Sequence, residues 1–228
     1  DFLAHDNDPR PDNTLQDYHS TCVGGLACAV SNNSTGVVGV APGCRILPCR
    51  IMGAYSPTIN DITQAIQYAG AMADILSISW TMSPNSTIEA SLRYVATQGR
   101  HGRGCPIAAS AGNDYRTDFI GFPASLDCVM AIGASTYKDV RAPYSDYTQG
   151  QGVFLLAPSG DSDQRTGVPT LTADGGYGLF SGTSAGPPEA AGVCALILTV
   201  APTLSRAQVE SVLRTTADRI NPTSASYN

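Results

Sequence analysis

Residues 179–198 read Leu179-Phe180-Ser181-Gly182-Thr183-Ser184-Ala185-Gly186-Pro187-Pro188-Glu189-Ala190-Ala191-Gly192-Val193-Cys194-Ala195-Leu196-Ile197-Leu198. A turn of small residues leads into an apolar run over 190–200, long enough to predict a buried helix. A Ser at such a junction stands at a helix N-terminus, where backbone N–H groups are unpaired and the dipole is positive. Its hydroxyl can attack a carbonyl while its own N–H helps hold the resulting oxyanion. Pro187 and Pro188 suit a first helical turn, where a missing N–H costs nothing. Gly182 lets another backbone come close. The same residues also fit a plain buried helix after a Ser/Gly loop, so this stretch alone leaves both readings open.

Two other stretches bear on the choice. Asp17-Tyr18-His19-Ser20-Thr21-Cys22-Val23-Gly24-Gly25-Leu26-Ala27 places a His ahead of small and apolar residues 23–30, which suggest a buried helix. The chain has three His, and the others sit in an opening loop (His5) and a polar Gly/Arg stretch (His101). On its own His19 reads as a structural histidine as readily as a general base. Cys105-Pro106-Ile107-Ala108-Ala109-Ser110-Ala111-Gly112-Asn113 reads as a buried strand ending in Gly-Asn. By itself Gly-Asn is a turn.

Taken in chain order, these three stretches resemble the motifs of the subtilisin-like serine proteases (subtilases). The family nucleophile pattern is Gly-Thr-Ser-x-Ala-x-Pro-x-x-x-Gly. Gly182-Thr183-Ser184, Pro188 and Gly192 fall in register, and Gly186 stands where the family has Ala. His19 and Thr21 match the family's His-Gly-Thr-x-x-Ala-Gly motif, with Ser20 and Gly24 as departures. The resemblance implies Ser184 as nucleophile, His19 as general base and the Asn113 amide as a donor to the oxyanion. Such a donor is worth about 3–4 kcal/mol, a magnitude established in subtilisin, itself a member of this family.

The likeness covers nearly the whole chain. It implies a substrate lying extended against Ser79, Trp80 and Thr81, with Ala111, Gly112 and Gly121 also lining the substrate site. Gly121-Phe122-Pro123-Ala124 resembles the wall and floor of the specificity pocket, where the Pro can be cis. Ser-x-Ser-Trp ending at Trp80 is more like the kexin branch than subtilisin itself. It points to a basic P1 residue with Asp114 and Asp118 as acidic candidates, whereas Gly121 and Phe122 suit an apolar or mixed one. Trp80 as plain core and 31–42 as a plain Asn/Gly loop remain the alternatives from the residues alone. The 31–42 loop resembles a family loop that binds structural Ca²⁺, which by register gives Ser31, Asn33, Thr35 and Val37 as ligands. Oxygen donors on a tight loop suit a hard cation.

The family order of triad residues is Asp, His, Ser. No Asp here ends a strand upstream of His19, and the role is carried onto neither Asp6 nor Asp8, which sit in polar loop sequence. The expectation is a single incomplete peptidase domain over 1–228, shortened at both ends. Its orienting carboxylate would come from outside, through an upstream segment, a propeptide or a second chain. Removing such an Asp lowers the rate by about 10⁴ in a serine protease, so the isolated piece is expected to be nearly inactive.

Composition agrees with a compact globular chain. The 228 residues are 43% apolar and 14% charged, with a formal net charge of -6. That charge argues against nucleic acid and is compatible with bound cations. No apolar run reaches the ~18 residues of a membrane span. The seven Cys are scattered, read mostly as reduced core thiols and leave one disulfide open. Secretion is favoured by the resemblance, and a cytoplasmic location stays open.

Strands are expected over 45–52, 75–80, 105–113, 128–134 and 153–158. A helix capped at Asn60 or Asp61 carries Ile62, Ile66, Ala69 and Ala73. A helix after a Ser86/Glu89 capping box carries Ile88, Leu92, Val95 and Ala96. A last helix opens at Ser205/Gln208, and 1–18 and 159–176 read as loops. Alternation of strands and helices implies an α/β fold, a mostly parallel sheet with helices on both faces in three layers. The expected activity is that of a serine endopeptidase acting through an acyl-enzyme. A catalytically impaired pseudoprotease with a binding or scaffolding role is the main alternative, and a transpeptidase or macrocyclase the second.

Overall fold

Four strands hydrogen-bond in parallel in chain order: β1 (Leu76–Ile78), β2 (Ile107–Ser110), β3 (Met130–Ser135) and β4 (Leu155–Pro158). The structure, a computed structural model, describes residues 1–11, 18–53, 56–149, 152–161 and 166–220. Parts of both expected loops, 12–17 and 162–165, lie outside the described residues. Every residue of β2 and β3 is buried, as befits a parallel sheet covered on both faces. Ile107, Ala109 and Ala131 pack with residues of α2 (Ile59–Met72) and α3 (Ser86–Gly102). Ala108, Met130 and Ile132 pack with α4 (Gly186–Val200) and α5 (Arg206–Thr216). The two-residue period of the strand thus feeds two cores, and the three-layer α/β architecture is as expected.

Helix starts differ in detail from the expectation. α2 is capped by Thr58, whose hydroxyl accepts from the Asp61 N–H, while the Asp61 carboxylate accepts from the Thr58 N–H. Asp61 is therefore the third helical residue of a capping box, and Asn60 lies inside the helix. α3 is capped by Asn85, which is extended (φ -144°, ψ 125°) and accepts from the Thr87 and Ile88 N–H groups. Ser86 is the first helical residue, so the expected Ser86/Glu89 box gives way to the better cap one position earlier. The Ser205/Gln208 box on α5 forms as expected.

Two further expectations need correction. Residues 45–52 form no strand, because a strand exists through its ladder and none of the described residues pairs with them. Ile46, Leu47 and Met52 are exposed, and Arg50 O accepts one bond, from the Phe2 N–H (2.9 Å). Conversely, the expected 159–176 loop contains β5 (Val168–Leu171), antiparallel to β6 (Tyr177–Phe180). Pro169 and the Gly-rich turn masked the strand, yet Pro is tolerated in an edge strand. The seven Cys are all free thiols, with Cys22, Cys105, Cys128 and Cys194 buried as small core residues.

α1 (His19–Cys28) crosses α4 and the β5–β6 hairpin. Cys22 and Leu26 pack with Phe180 and Ala185. The Thr170 hydroxyl donates to Cys22 O (2.7 Å), fixing the hairpin to the helix. α4 lies so near the sheet that a Cβ on Gly186 would sit 2.5 Å from Ile132 Cγ2. That contact explains a Gly where the family pattern has Ala.

Glu189 occupies the first turn of α4 and is only 9% exposed. Its Oε2 has no hydrogen-bond partner among the described residues. Burial pushes its pKa up to about 8, against the opposite pull of the helix N-terminus. The folded carboxyl holds its proton to higher pH than the unfolded one. Its stability cost is therefore absent below pH 4.5 and grows as pH rises toward about 8. Glu189→Gln should flatten that decline. Between pH 5 and 9 the parent should lose on the order of 3 kcal/mol more than the variant. Thermal melts across pH check this, and identical pH slopes for the two proteins would contradict it.

Candidate active site

Ser184 sits in a 3-10 turn, Thr183–Ala185, that runs directly into α4. Gly182 precedes it with φ 94° and ψ 161°, a conformation essentially confined to Gly. Ala190, Cys194 and Leu198 bury α4 against the sheet, and Ala185 buries the turn against α1. The Ser184 hydroxyl is thereby presented at the end of the sheet where β1 and β2 finish. It lies 3.4 Å from Ser79 O, and the Ser79 hydroxyl donates to Ser184 O (2.8 Å). Ser79 and Ser184, 105 residues apart, are thus in direct contact.

Asn113 follows β2 and faces the same turn. Its Oδ1 accepts from the Thr183 N–H (2.8 Å) and the Thr183 hydroxyl (2.9 Å). With the carbonyl oxygen taken, the amide nitrogen carries the two free donors. Thr183 O accepts from the Ser110 hydroxyl (3.1 Å), and Thr183 Oγ1 accepts from the Gly112 N–H (3.3 Å). Thr183, wholly buried, therefore rivets the end of β2 to the turn that carries Ser184.

His19 opens α1 and is exposed. Its ring meets Phe180 edge-on, with centroids 5.3 Å apart. Phe180 ends β6 four residues before Ser184 and packs with Ala185, Cys22 and Leu26. Helix α1 thus carries the imidazole to the flank of the Ser184 turn.

The remaining expected positions fall into two groups. Ala111 and Gly112 are buried just past β2, and the Gly121 N–H donates to Ala111 O (2.8 Å). Gly121 also abuts Thr81, and Met82 pairs with Phe122 in an antiparallel bridge. Trp80 is half-buried against the α2–α3 core. The Phe122–Pro123 peptide is cis. Ser79, Trp80, Thr81, Ala111, Gly112 and Gly121 therefore gather beside Ser184. Asp114 and Asp118 lie in the exposed loop that follows.

Ser31, Asn33, Thr35 and Val37, the expected cation ligands, lie on a different loop. They line an open concavity of the 30–38 loop. Positive φ at Asn32 (58°), Ser34 (57°) and Gly36 (62°) interleaves with them. Asn33 Oδ1 accepts from the Thr35 N–H (3.2 Å) and keeps a second lone pair. Neutral oxygens on a curled loop fit a hard cation. No cluster of three His, Cys, Asp or Glu occurs among the described residues.

Three buried residues here escaped the sequence reading. Thr183 was visible only as part of a motif. Asp146 accepts from the Asp114 (3.0 Å) and Arg116 (2.7 Å) N–H groups and donates its own N–H to Gly112 O (3.0 Å). It braces the segment on both sides of Asn113. Burial raises its pKa, and the two backbone N–H groups work the other way. Tyr144 reaches the turn from the same segment. Neither residue lies in a recognisable pattern, since their partners are some 30 residues away in sequence.

Known proteins resemble this chain in sequence and in fold. Residues 3–227 match the Subtilase family (Peptidase S8). The chain is 34% identical over 212 residues to an extracellular protease of Xanthomonas campestris pv. campestris, covering 88% of this chain and 36% of that protein. It is 32% identical over 266 residues to a calcium-dependent protease of a Nostoc species, covering 100% of this chain and 39% of the relative. Among solved structures, sphericase superposes with a TM-score of 0.76 at 28% identity, covering 88% of this chain and 69% of that one. The chain spans well under half the length of these two curated relatives. With the family matched from end to end and the subtilisin-like fold in place, this chain belongs to the subtilases, the subtilisin-like serine proteases.

Proposed function

We propose that residues 1–228 form an incomplete peptidase domain of a serine endopeptidase that cleaves peptide bonds through an acyl-enzyme on Ser184. Ser184 Oγ attacks the scissile carbonyl, and His19 takes its proton and returns it to the leaving amine. The Asn113 amide and the Ser184 N–H hold the tetrahedral oxyanion. Support comes above all from the Thr183–Asn113 pair, which takes up the Asn113 carbonyl oxygen beside the nucleophile and leaves the amide nitrogen of this exposed residue to donate. The carboxylate that orients His19 is assigned to no residue of this chain, and the 228 residues alone are expected to turn over poorly.

The substrate would lie extended against Ser79, Trp80 and Thr81, using main-chain hydrogen bonds. Its P1 side chain would enter beside Ala111, Gly112 and Gly121. Peptides or proteins are the partners, and a propeptide or a second chain could supply the orienting acid. Relatives named as extracellular proteases favour secretion. Among the described residues no helix is long and apolar enough to cross a membrane. Structural Ca²⁺ on Ser31, Asn33, Thr35 and Val37 fits the loop's oxygen donors and the calcium-dependent relatives. There it would hold the loop that follows α1. A second reading, peptide binding without turnover, is favoured by Ser20 and Gly24 at positions where the family motif has Gly and Ala.

A fluorophosphonate probe on the naturally produced protein should label Ser184, and Ser184→Ala should abolish both labelling and hydrolysis. His19→Ala should lower kcat by about 10⁴ or more. Asn113→Ala should lower it by about 10²–10³ with KM little changed. Labelling that survives Ser184→Ala would contradict the assignment, and an unlabelled parent would favour binding without turnover. Saturating Ca²⁺ should raise the thermal midpoint by roughly 5–10 °C over chelated protein. Asn33→Ala should weaken that shift, and a midpoint indifferent to Ca²⁺ would contradict the metal site.

A further inference from the structure

Gly182 holds the backbone conformation that sets the direction of the Ser184 turn, and side chains hold Gly182. Its N–H donates to the Tyr144 hydroxyl (3.2 Å). Its carbonyl accepts from the Ser159 hydroxyl (2.5 Å) and from the Ala185 N–H (3.1 Å). Tyr144 Oη lies 3.2 Å from Ser159 Oγ and 3.0 Å from Gly160 O. Gly182 is thus held on both sides, its N–H by the Tyr144 oxygen and its carbonyl by the Ser159 hydroxyl. Each hydroxyl has one proton to give: Ser159 gives its proton to Gly182 O, and Tyr144 gives its proton to Gly160 O, the nearer acceptor and one with no proton of its own.

Both hydroxyls sit on rigid ground. Tyr144 is 6% exposed and Ser159 1%. The Ser159 N–H donates to Ser135 O at the end of β3 (3.0 Å), and the neighbouring Ser145 hydroxyl accepts from the Ala134 N–H (3.1 Å). Burial raises the Tyr144 pKa, which keeps the phenol in the neutral form that donation to Gly160 O requires. Partly buried peptide groups outside regular ladders need such partners. Neither partner can be replaced by a residue without a hydroxyl and still hold Gly182 on both sides.

We infer that Tyr144 and Ser159 are positioning residues for the nucleophile: their hydroxyls clamp Gly182 from both sides and so aim Ser184 Oγ. The inference depends on the reading of Ser184 as nucleophile. Misplacing a reacting atom by a fraction of an ångström costs rate far more than substrate affinity. The signature is therefore a loss in kcat.

The naturally produced protein, Tyr144→Phe, Ser159→Ala and the double variant should be compared in three measurements. These are the fluorophosphonate labelling rate, kcat and KM on a chromogenic peptide, and thermal midpoint. Each single variant should label and turn over about 10-fold more slowly, with KM within about twofold. The double variant should be no slower than the worse single, since either loss frees the same glycine. Unchanged rates in both singles would overturn the inference. So would losses that multiply in the double variant, or a lower midpoint with unchanged rates in the folded fraction. If the parent is not labelled at Ser184, the functional reading falls and takes this inference with it. If the parent is labelled and the variants behave like it, only this inference falls.

Discussion

A helix entry leaves backbone N–H groups without partners, and in this chain one of them is met by a side chain from the sheet. The Thr183 N–H and hydroxyl both donate to Asn113 Oδ1. That single acceptor does three things. It satisfies a buried donor at the start of α4, joins the end of β2 to the 3-10 turn, and fixes the carbonyl oxygen of the Asn113 amide, leaving its nitrogen as the donor. Thr183 is fully buried, so losing the acceptor would leave two polar groups without water, a cost of roughly 1–3 kcal/mol each. The proposed chemistry of Asn113 and the packing of the turn therefore depend on the same bonds.

Close approach of elements makes that geometry reachable. Gly186 brings α4 against Ile132, and Gly25 brings α1 against Thr170 and Leu171, where an added Cβ would lie 2.4–3.0 Å from their atoms. These small residues bring α1 and α4 together at one end of the sheet. The segment Tyr144–Ser145–Asp146, buried throughout, then reaches two loops at once. Tyr144 touches the turn before Ser184, and Asp146 touches the segment around Asn113. Rigidity there comes from hydroxyl and carboxylate contacts to backbone, not from apolar packing alone.

Much of this was legible in the sequence. Strands β1 to β4 show as short apolar runs, α4 as a longer one, and α2, α3 and α5 as periodic ones, because burial leaves a strong pattern. The motifs at His19, Asn113 and Ser184 were readable for the same reason that motifs exist: the residues that meet are adjacent to their own turns. Residues 45–52 carry strand composition, but composition cannot supply a partner, and none of the described residues pairs there. Val168–Leu171 was missed because Pro169 and the Asp174-Gly175-Gly176 turn look like loop, while its pairing with Tyr177–Phe180 is set by the fold around α1. The caps at Thr58 and Asn85 slipped by a residue or two, since neighbouring polar residues compete and backbone angles decide. Tyr144, Ser159 and Asp146 left no local trace. Their partners lie 15 to 38 residues away, and a lone Tyr, Ser or Asp is common on any surface.

Convergence of His19, Asn113 and Ser184 on one reacting carbon is tested most directly by a crystal structure of the naturally produced protein with a peptide boronate. The boron should be bonded to Ser184 Oγ, with one boronate oxygen within hydrogen-bond distance of Asn113 Nδ2 and the His19 ring within reach of Ser184 Oγ. Boron bound elsewhere, or a Ser184 adduct with His19 and Asn113 both remote from it, would contradict the account.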